Sequence, residues 1–471
     1  MRTLEITLAV VLFLHLALPL VLQRWFKLLA LVASGVLVVH LFVEGYRWQM
    51  LPLYALTLLV TVFTVIGWMR YPSAQPARKK PNGVQAFFSV AGCLLVIIAS
   101  ALPAVFPIPN LPKPTGPYPI GTFSTMLVDN SRKELYSANP DEPRRIMVQI
   151  WYPAAPAADA KLGVWMENVD KIGPSISTWL GFPPFLLDHV VYGRSNSYPD
   201  APVMASQTKF PVITFSHGWN GVRVQSTFLM EELASQGYVV VSIDHTYGAR
   251  MVVFPDGTIA ENNPNALPTD QPVEILVPAA QKLVNQWAED IGFTLDTLAG
   301  WNQNDPTGRF TNRLDLEKIG VSGHSTGGGA AIEFCGRDLR CKVGVGLDPY
   351  LTPVSDQVLD GTLSQPFLLL FSEKFPTERN TMLLSRLMKN AQAAREISIM
   401  GTAHYDFSDL PLLTPLAPYL GLKGPLNAER VLQINREFSL ALFNQVLANG
   451  SGAILTGPST QYPELKFDYL P

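Results

Sequence analysis

The amino-acid sequence predicts an α/β protein in which four membrane-spanning helices precede a mostly parallel sheet with helices on both faces. Four apolar stretches crowd the first 105 positions, each near the ~20 residues needed to cross the hydrocarbon core. From about Thr122 onward, short β-branched runs alternate with helical periodicity, the pattern of βαβ units. Only 15% of the 471 residues are charged, against about 25% in a soluble domain. The charge is also partitioned: 8 basic and 2 acidic residues fall before position 110, leaving 27 basic and 36 acidic in the remainder. That acidic remainder has no Lys/Arg-rich run, which excludes nucleic acid as a partner.

The apolar stretches are Leu4 to Leu22, Leu28 to Val43, Met50 to Met69 and Ala86 to Val105. Buried helices of a globular core would show a polar stripe, and these show almost none. The second stretch is short, with Trp25, Phe26 and Tyr46 flanking it as interfacial aromatics would. No small-residue cleavage site follows the first stretch, where Val21 to Trp25 stand, so that helix is expected to be retained. Arg24, Lys27, Arg70, Arg78, Lys79 and Lys80 lie on one side of the spans and Arg2, Arg47 and Lys113 on the other. The bias makes the first side cytoplasmic, placing the amino terminus and the large remainder outside the cytoplasm of a multi-pass cell-membrane protein. His15 and His40 fall inside the first two spans, where a neutral imidazole bonded to a neighbouring helix suffices to explain them. The expected organisation is a membrane module over 1–108, a stiff proline-rich linker over 109–121 and an α/β domain over 122–471.

Within that domain Ile146 to Tyr152 reads as a strand. Phe210 to Phe215 and Tyr238 to Ile243 flank a helix at Thr227 to Gln236 as one βαβ unit. Val284, Trp287, Ile291, Leu295 and Leu298 line one face of a further helix. Lys318 to Ser322, Val343 to Leu347, Pro366 to Phe371 and Glu396 to Met400 follow as strands, with a last helix near Glu429 to Leu447.

Gly323, His324, Ser325, Thr326 and Gly327 form a GxSxG motif between the strand at Ile319 to Ser322 and a helix-forming run. In that setting the glycines allow a sharp turn that lifts a nucleophilic Ser325 Oγ clear of the sheet. The serine needs a base. In the fold that carries this motif the order is serine, acid, histidine. Of seven histidines only His404 follows Ser325 at a distance, just after the strand ending at Met400. His324 adjoins the serine, with its side chain expected to point away from the side where Oγ meets its base. The acid must sit at a strand end between Ser325 and His404, and both Asp348 and Glu373 qualify. The oxyanion hole takes one N–H from Thr326, after the nucleophile. Its second comes from the loop Ser216 to Gly221, with Trp219 preferred and Gly218 the alternative.

These residues resemble the plasma-type platelet-activating factor acetylhydrolases, a family of α/β-hydrolases. The resemblance runs from about Thr115 to Leu410 and rests on TGPYPIG at Thr115 to Gly121, FSHG at Phe215 to Gly218 and GHSTGG at Gly323 to Gly328. It continues in GLDP at Gly346 to Pro349, FSEKF at Phe371 to Phe375 and AHYDF at Ala403 to Phe407. It implies an α/β-hydrolase fold, Asp348 as the acid, and calcium-independent hydrolysis of short or oxidised acyl chains on phospholipids. The GHSTGGG run is also similar to cutinase-like polyester hydrolases, whose acid lies one strand later and would be Glu373.

The expectation is a membrane-anchored serine esterase or lipase with Ser325, Asp348 and His404 as triad and lipid or another ester as substrate. The alternatives are an esterase or acyltransferase for small or polymeric esters, and a non-catalytic membrane protein that binds acyl ligands. Trp165, Trp179, Phe182, Phe185 and Leu410 to Leu422 read either as surfaces that receive lipid or as core and lid packing. No Cys/His cluster has metal-ligand spacing, so neither metal nor cofactor is expected. Cys335 and Cys341 could bridge in an oxidising compartment, and Cys93 reads as apolar filler of the fourth span.

Overall fold

The computed structural model describes residues 1–22, 27–70, 82–206, 208–375 and 377–470. They form two compact units, the first comprising Met1–Pro109 with Leu186–Tyr192 and Leu413–Leu416, the second the rest.

The first unit holds α1 (Thr3–Leu22), α2 (Leu28–Val43), α3 (Leu51–Arg70) and α4 (Gly83–Val105). Three segments are long and apolar enough to span a membrane: Thr3–Val21, Trp48–Arg70 and Gly83–Val105. Four apolar helices are present as expected, and α2 is the short one: its 16 residues at 1.5 Å per residue make about 24 Å, against a hydrocarbon core of ~30 Å. Arg24, Trp25 and Phe26, expected to extend it, lie outside the described residues, as do Arg78, Lys79 and Lys80. The helix ends nevertheless alternate. Leu4 N–H, at the start of α1, donates to Glu44 Oε1 just past α2 (3.0 Å). Arg47, ahead of α3, donates to Glu5 Oε1 (3.2 Å) and to Phe106 O just past α4 (2.5 Å). The start of α1 and the exit of α4 therefore share one end of this unit. His40 is bonded to Tyr54 of α3 (2.6 Å) and Glu44 (2.9 Å). Leu8, Leu12, Ala33, Leu53, Val96 and Ala99 pack inside, while Phe42, Phe63, Met69 and Ile98 face outward. Apolar side chains on both faces are what a lipid solvent selects.

The second unit is built on a ten-stranded sheet. Its strands are β1 (Ile120–Lys133), β2 (Pro143–Pro153), β3 (Ser197–Pro199), β4 (Phe210–Ser216), β5 (Val239–Asp244), β8 (Leu314–His324), β9 (Cys341–Leu347), β10 (Phe367–Ser372), β11 (Ala394–Ile399) and β12 (Leu465–Tyr469). A separate hairpin pairs β6 (Met251–Val253) with β7 (Ile259–Glu261). The spatial order is β12-β11-β10-β9-β8-β4-β5-β2-β1-β3. From β5 to β11 the six central strands run parallel. The helices are α5 (Val169–Trp179), α6 (Thr227–Ser235), α7 (Val273–Asn304), α8 (Thr326–Cys335), α9 (Asp356–Leu359), α10 (Glu378–Met388) and α11 (Ala428–Leu447).

Every strand expected from an apolar run is present with ends shifted by at most four residues, whereas the 14-residue β1, which runs on from the expected linker, and β3, β6, β7 and β12 escaped the sequence pattern. The last four are short edge or hairpin strands of three to five residues. The proline-rich stretch after Asn110 docks on α6: Tyr118 N–H donates to Ser235 O (3.1 Å) and Gly116 N–H to Ser235 Oγ (3.0 Å). A Cβ on Gly116 would lie 2.2 Å from Ser235 O, so only glycine allows this approach. Cys335, the last residue of α8, is disulfide-bonded to Cys341, the first of β9.

Candidate active site

The parallel strands present their carboxyl ends on one edge of the sheet, and the sequence-predicted residues meet there. Ser325 sits between β8 and α8 at φ 53°, ψ −120°, a region that costs a non-glycine residue about 1–3 kcal/mol. The surroundings hold it there. Ser325 N–H donates to Leu347 O (2.9 Å), and its carbonyl accepts from Gly329 and Tyr350. A Cβ on Gly323 would lie 2.2 Å from Gly327 O, and one on Gly327 2.1 Å from Ser216 O. The two glycines of the motif are thus required by close backbone packing.

Asp348 follows β9 at φ 48°, and His404 opens a short turn (His404–Phe407) after β11. Ser325 Oγ lies 2.9 Å from His404 Nε2, and His404 Nδ1 lies 2.8 Å from Asp348 Oδ2. Asp348 is fully buried, and its carboxylate is completed by Ser372, whose N–H donates to Oδ1 (2.9 Å) and whose hydroxyl donates to Oδ2 (2.7 Å). Glu373, the rival acid, accepts instead from Gly401 N–H (2.7 Å). The His404 turn is pinned by Asp406, which accepts from Ala403 N–H (2.8 Å) and Gly424 N–H (2.7 Å). Phe375 stacks on the His404 ring at 4.0 Å. A nucleophile, a base and a buried carboxylate in line can carry acyl transfer without a metal.

Thr326 N–H, the first of α8, has no acceptor within its helix. In the loop after β4, Gly218 N–H is occupied by Gln225 Oε1 (3.1 Å), whereas Trp219 N–H has no hydrogen bond among the described residues. Gly218 approaches the nucleophile so closely that a Cβ would stand 3.1 Å from Ser325 Cβ.

Other residues were missed by sequence reasoning. His324 does not turn away from the triad: its ring lies 4.6 Å from that of His404, and its Nε2 bonds the His404 carbonyl (2.9 Å). Under the β4 loop, His245 N–H donates to His217 Nε2 (3.1 Å), leaving Nδ1–H of His217 to donate to Gly218 O (2.7 Å). His245 stacks on Trp287 at 4.3 Å and is bonded to Asp290 (2.9 Å) and Ser216 Oγ (3.0 Å). Burial holds both histidines below the ordinary imidazole range, and both serve as buried props under the loop. The available signal was that each follows the last residue or two of adjacent strands. Trp165, one candidate lipid contact, is buried and bonded to Thr227 and Asp409, which is core packing. Among the described residues Glu5, His40 and Glu44 of the first unit have the spacing of metal ligands, yet Arg2 and Arg47 pair with both carboxylates.

The chain matches the family described as platelet-activating factor acetylhydrolase, isoform II, over residues 104–270 and 298–450. The chain belongs to that family. It is accordingly a carboxylic ester hydrolase of the 1-alkyl-2-acetylglycerophosphocholine esterase group. It is 24% identical to the platelet-activating factor acetylhydrolase of Cavia porcellus, across 72% of this chain and 78% of the relative. A probable 1-alkyl-2-acetylglycerophosphocholine esterase of Arthroderma benhamiae is 25% identical across 80% and 97%. Among solved structures, a ferulic acid esterase from Streptomyces cinnamoneus superposes with a TM-score of 0.62 at 26% identity, covering 77% of this chain and all of that one. The family's sheet with its covering helices is thus preceded here by three long apolar helices, or four with α2.

Proposed function

We propose that the protein is a membrane-anchored serine esterase that removes short or oxidised acyl chains from phospholipids. The observation that carries the reading is the unbroken line from Ser325 Oγ through His404 to the buried Asp348. In the mechanism Ser325 attacks the ester carbonyl while His404 Nε2 takes its proton. Asp348, fixed by both bonds from Ser372, keeps the His404 proton on Nδ1 and stabilises the imidazolium. Thr326 and Trp219 N–H groups receive the oxyanion. His404 returns the proton to the leaving alkoxide, and water resolves the acyl-enzyme by the reverse sequence.

The membrane anchor is the apolar helical unit, with the catalytic unit outside the cytoplasm of the cell membrane. The Lys/Arg bias of the short loops supports this side, and so does the Cys335–Cys341 disulfide, which persists in oxidising compartments. A second reading, hydrolysis of small soluble esters, draws on the likeness to a ferulic acid esterase. The test is hydrolysis of an sn-2 acetyl phospholipid and of p-nitrophenyl acetate by the purified protein beside Ser325→Ala. Loss of both activities in the variant supports the nucleophile, and a preference for the phospholipid supports the lipid reading. No hydrolysis of either by the wild type overturns it.

A further inference from the structure

Ser325, His404 and the Trp219 backbone come from three different strand ends, and the side chain of Gln225 joins their loops. Gln225 lies in the turn that leads into α6. Its Oε1 accepts from Gly218 N–H (3.1 Å), and its Nε2 donates to His324 Nδ1 (2.9 Å). Its backbone carbonyl accepts from Asp409 N–H in the histidine loop (2.6 Å). With Nδ1 of His324 an acceptor, the ring proton sits on Nε2, which donates to the His404 carbonyl (2.9 Å). A continuous polar chain therefore runs from Gly218 through Gln225 and His324 to His404, with each donor matched to one acceptor.

We propose that Gln225 and His324 are positioning residues that hold the oxyanion loop, the nucleophile turn and the general base in mutual register. The proposal rests on the esterase reading above. Neither side chain has to touch substrate. Their effect is geometric, because a displacement of about 1 Å in a reacting group can cost on the order of 100-fold in rate. Their polarity matters as well. His404 becomes an imidazolium during each acyl step, and a charged ring 4.6 Å away would oppose it. Burial, reinforced by His404 itself, holds His324 well below the ordinary histidine range. The Gln225 amide donates into Nδ1, so a second ring proton would find no acceptor.

The test uses the full-length protein in detergent micelles. Hydrolysis of p-nitrophenyl acetate by the wild type, abolished in Ser325→Ala, first secures the esterase reading; absence of that hydrolysis would sink the parent reading rather than this one. Gln225→Leu, His324→Phe and the double variant then follow. Each single change is expected to lower kcat about 10- to 100-fold with KM within about twofold and the unfolding midpoint nearly unchanged. The double variant should lose no more than the worse single, because one chain is cut only once. Multiplying losses, a loss confined to KM, or full activity in the singles would each overturn the proposal.

Gln225→Glu provides an arm that does not depend on Gln225→Leu folding. It keeps the acceptor for Gly218 but sets a carboxylate against His324, which is otherwise faced by His404 and His217, with Asp348 behind His404. Its kcat deficit should deepen as pH falls and His324 gains a proton. A profile parallel to that of the wild type would count against the assignment.

Discussion

Asp348→Asn is the change for which the structure specifies both the outcome and the reason. The two carboxylate oxygens are not equivalent, since Oδ1 accepts from the rigid Ser372 N–H (2.9 Å) and Oδ2 from His404 Nδ1 (2.8 Å) and Ser372 Oγ (2.7 Å). A backbone N–H cannot become an acceptor, so the asparagine must put its oxygen at the Oδ1 position and its NH2 group toward His404. The imidazole then has to accept at Nδ1, its proton moves to Nε2, and Ser325 loses its base. Asparagine tolerates the positive φ of 48° at this site, so the backbone is not strained by the exchange. A histidine held in the wrong tautomer costs about 10⁴-fold in kcat, or about 5.5 kcal/mol of transition-state stabilisation. The assay is steady-state release of p-nitrophenol by purified protein, with the thermal midpoint as a control for folding. Glu373→Gln in parallel should stay within a few fold of the wild type, since the amide oxygen can still accept from Gly401 N–H. Retention of a tenth of the activity by Asp348→Asn, or an equal loss in Glu373→Gln, would refute the assignment of the acid.

Three further outcomes are expected. Cys335→Ser should lower stability by about 2 kcal/mol, the loop-closure term for a separation of six residues, and a thiol titration of the unfolded wild type should find one free thiol before reduction and three after. Burial raises Glu231 to about 7, above an unfolded value near 4.5. The native state thus binds the extra proton, and stability should fall between about pH 4.5 and 7, by on the order of 3 kcal/mol. Glu231→Gln should flatten that slope in thermal unfolding, and an equally steep slope in the variant would show that another group is responsible. In a Cys93→Ser background, Ala448→Cys on the exposed end of α11 should react with a membrane-impermeant maleimide added to intact cells; labelling only after lysis would place the catalytic unit in the cytoplasm.

The sequence by itself determined the elements whose cause is local. A run of apolar residues such as Met50 to Met69 has no polar face to present to water, and the strands from Phe210 to Ile399 are apolar because helices cover both sides of a parallel sheet. The turn at Gly323, Ser325 and Gly327 was legible because a sharp strand-to-helix turn restricts residue type at fixed positions, and the candidate His404, which the structure places 2.9 Å from Ser325 Oγ, stood out because chain order left one histidine in place.

What it could not determine is set by contacts across long separations. The residues alone left Asp348 and Glu373 equivalent; that Asp348 faces His404 while Glu373 does not is decided where β9 and β10 pair and Ser372 turns both donors onto Asp348. His324 looked incidental because adjacency in sequence says nothing of a carbonyl 80 residues away. Gln225 carries no motif, yet it lies where three loops converge. Edge strands such as β12 depend on a partner's exposed hydrogen-bonding groups more than on their own composition, so only the assembled sheet reveals them. Local chemistry writes periodicity and turns into the sequence, whereas the alignment of proton donors and acceptors exists only once distant strand ends are brought side by side.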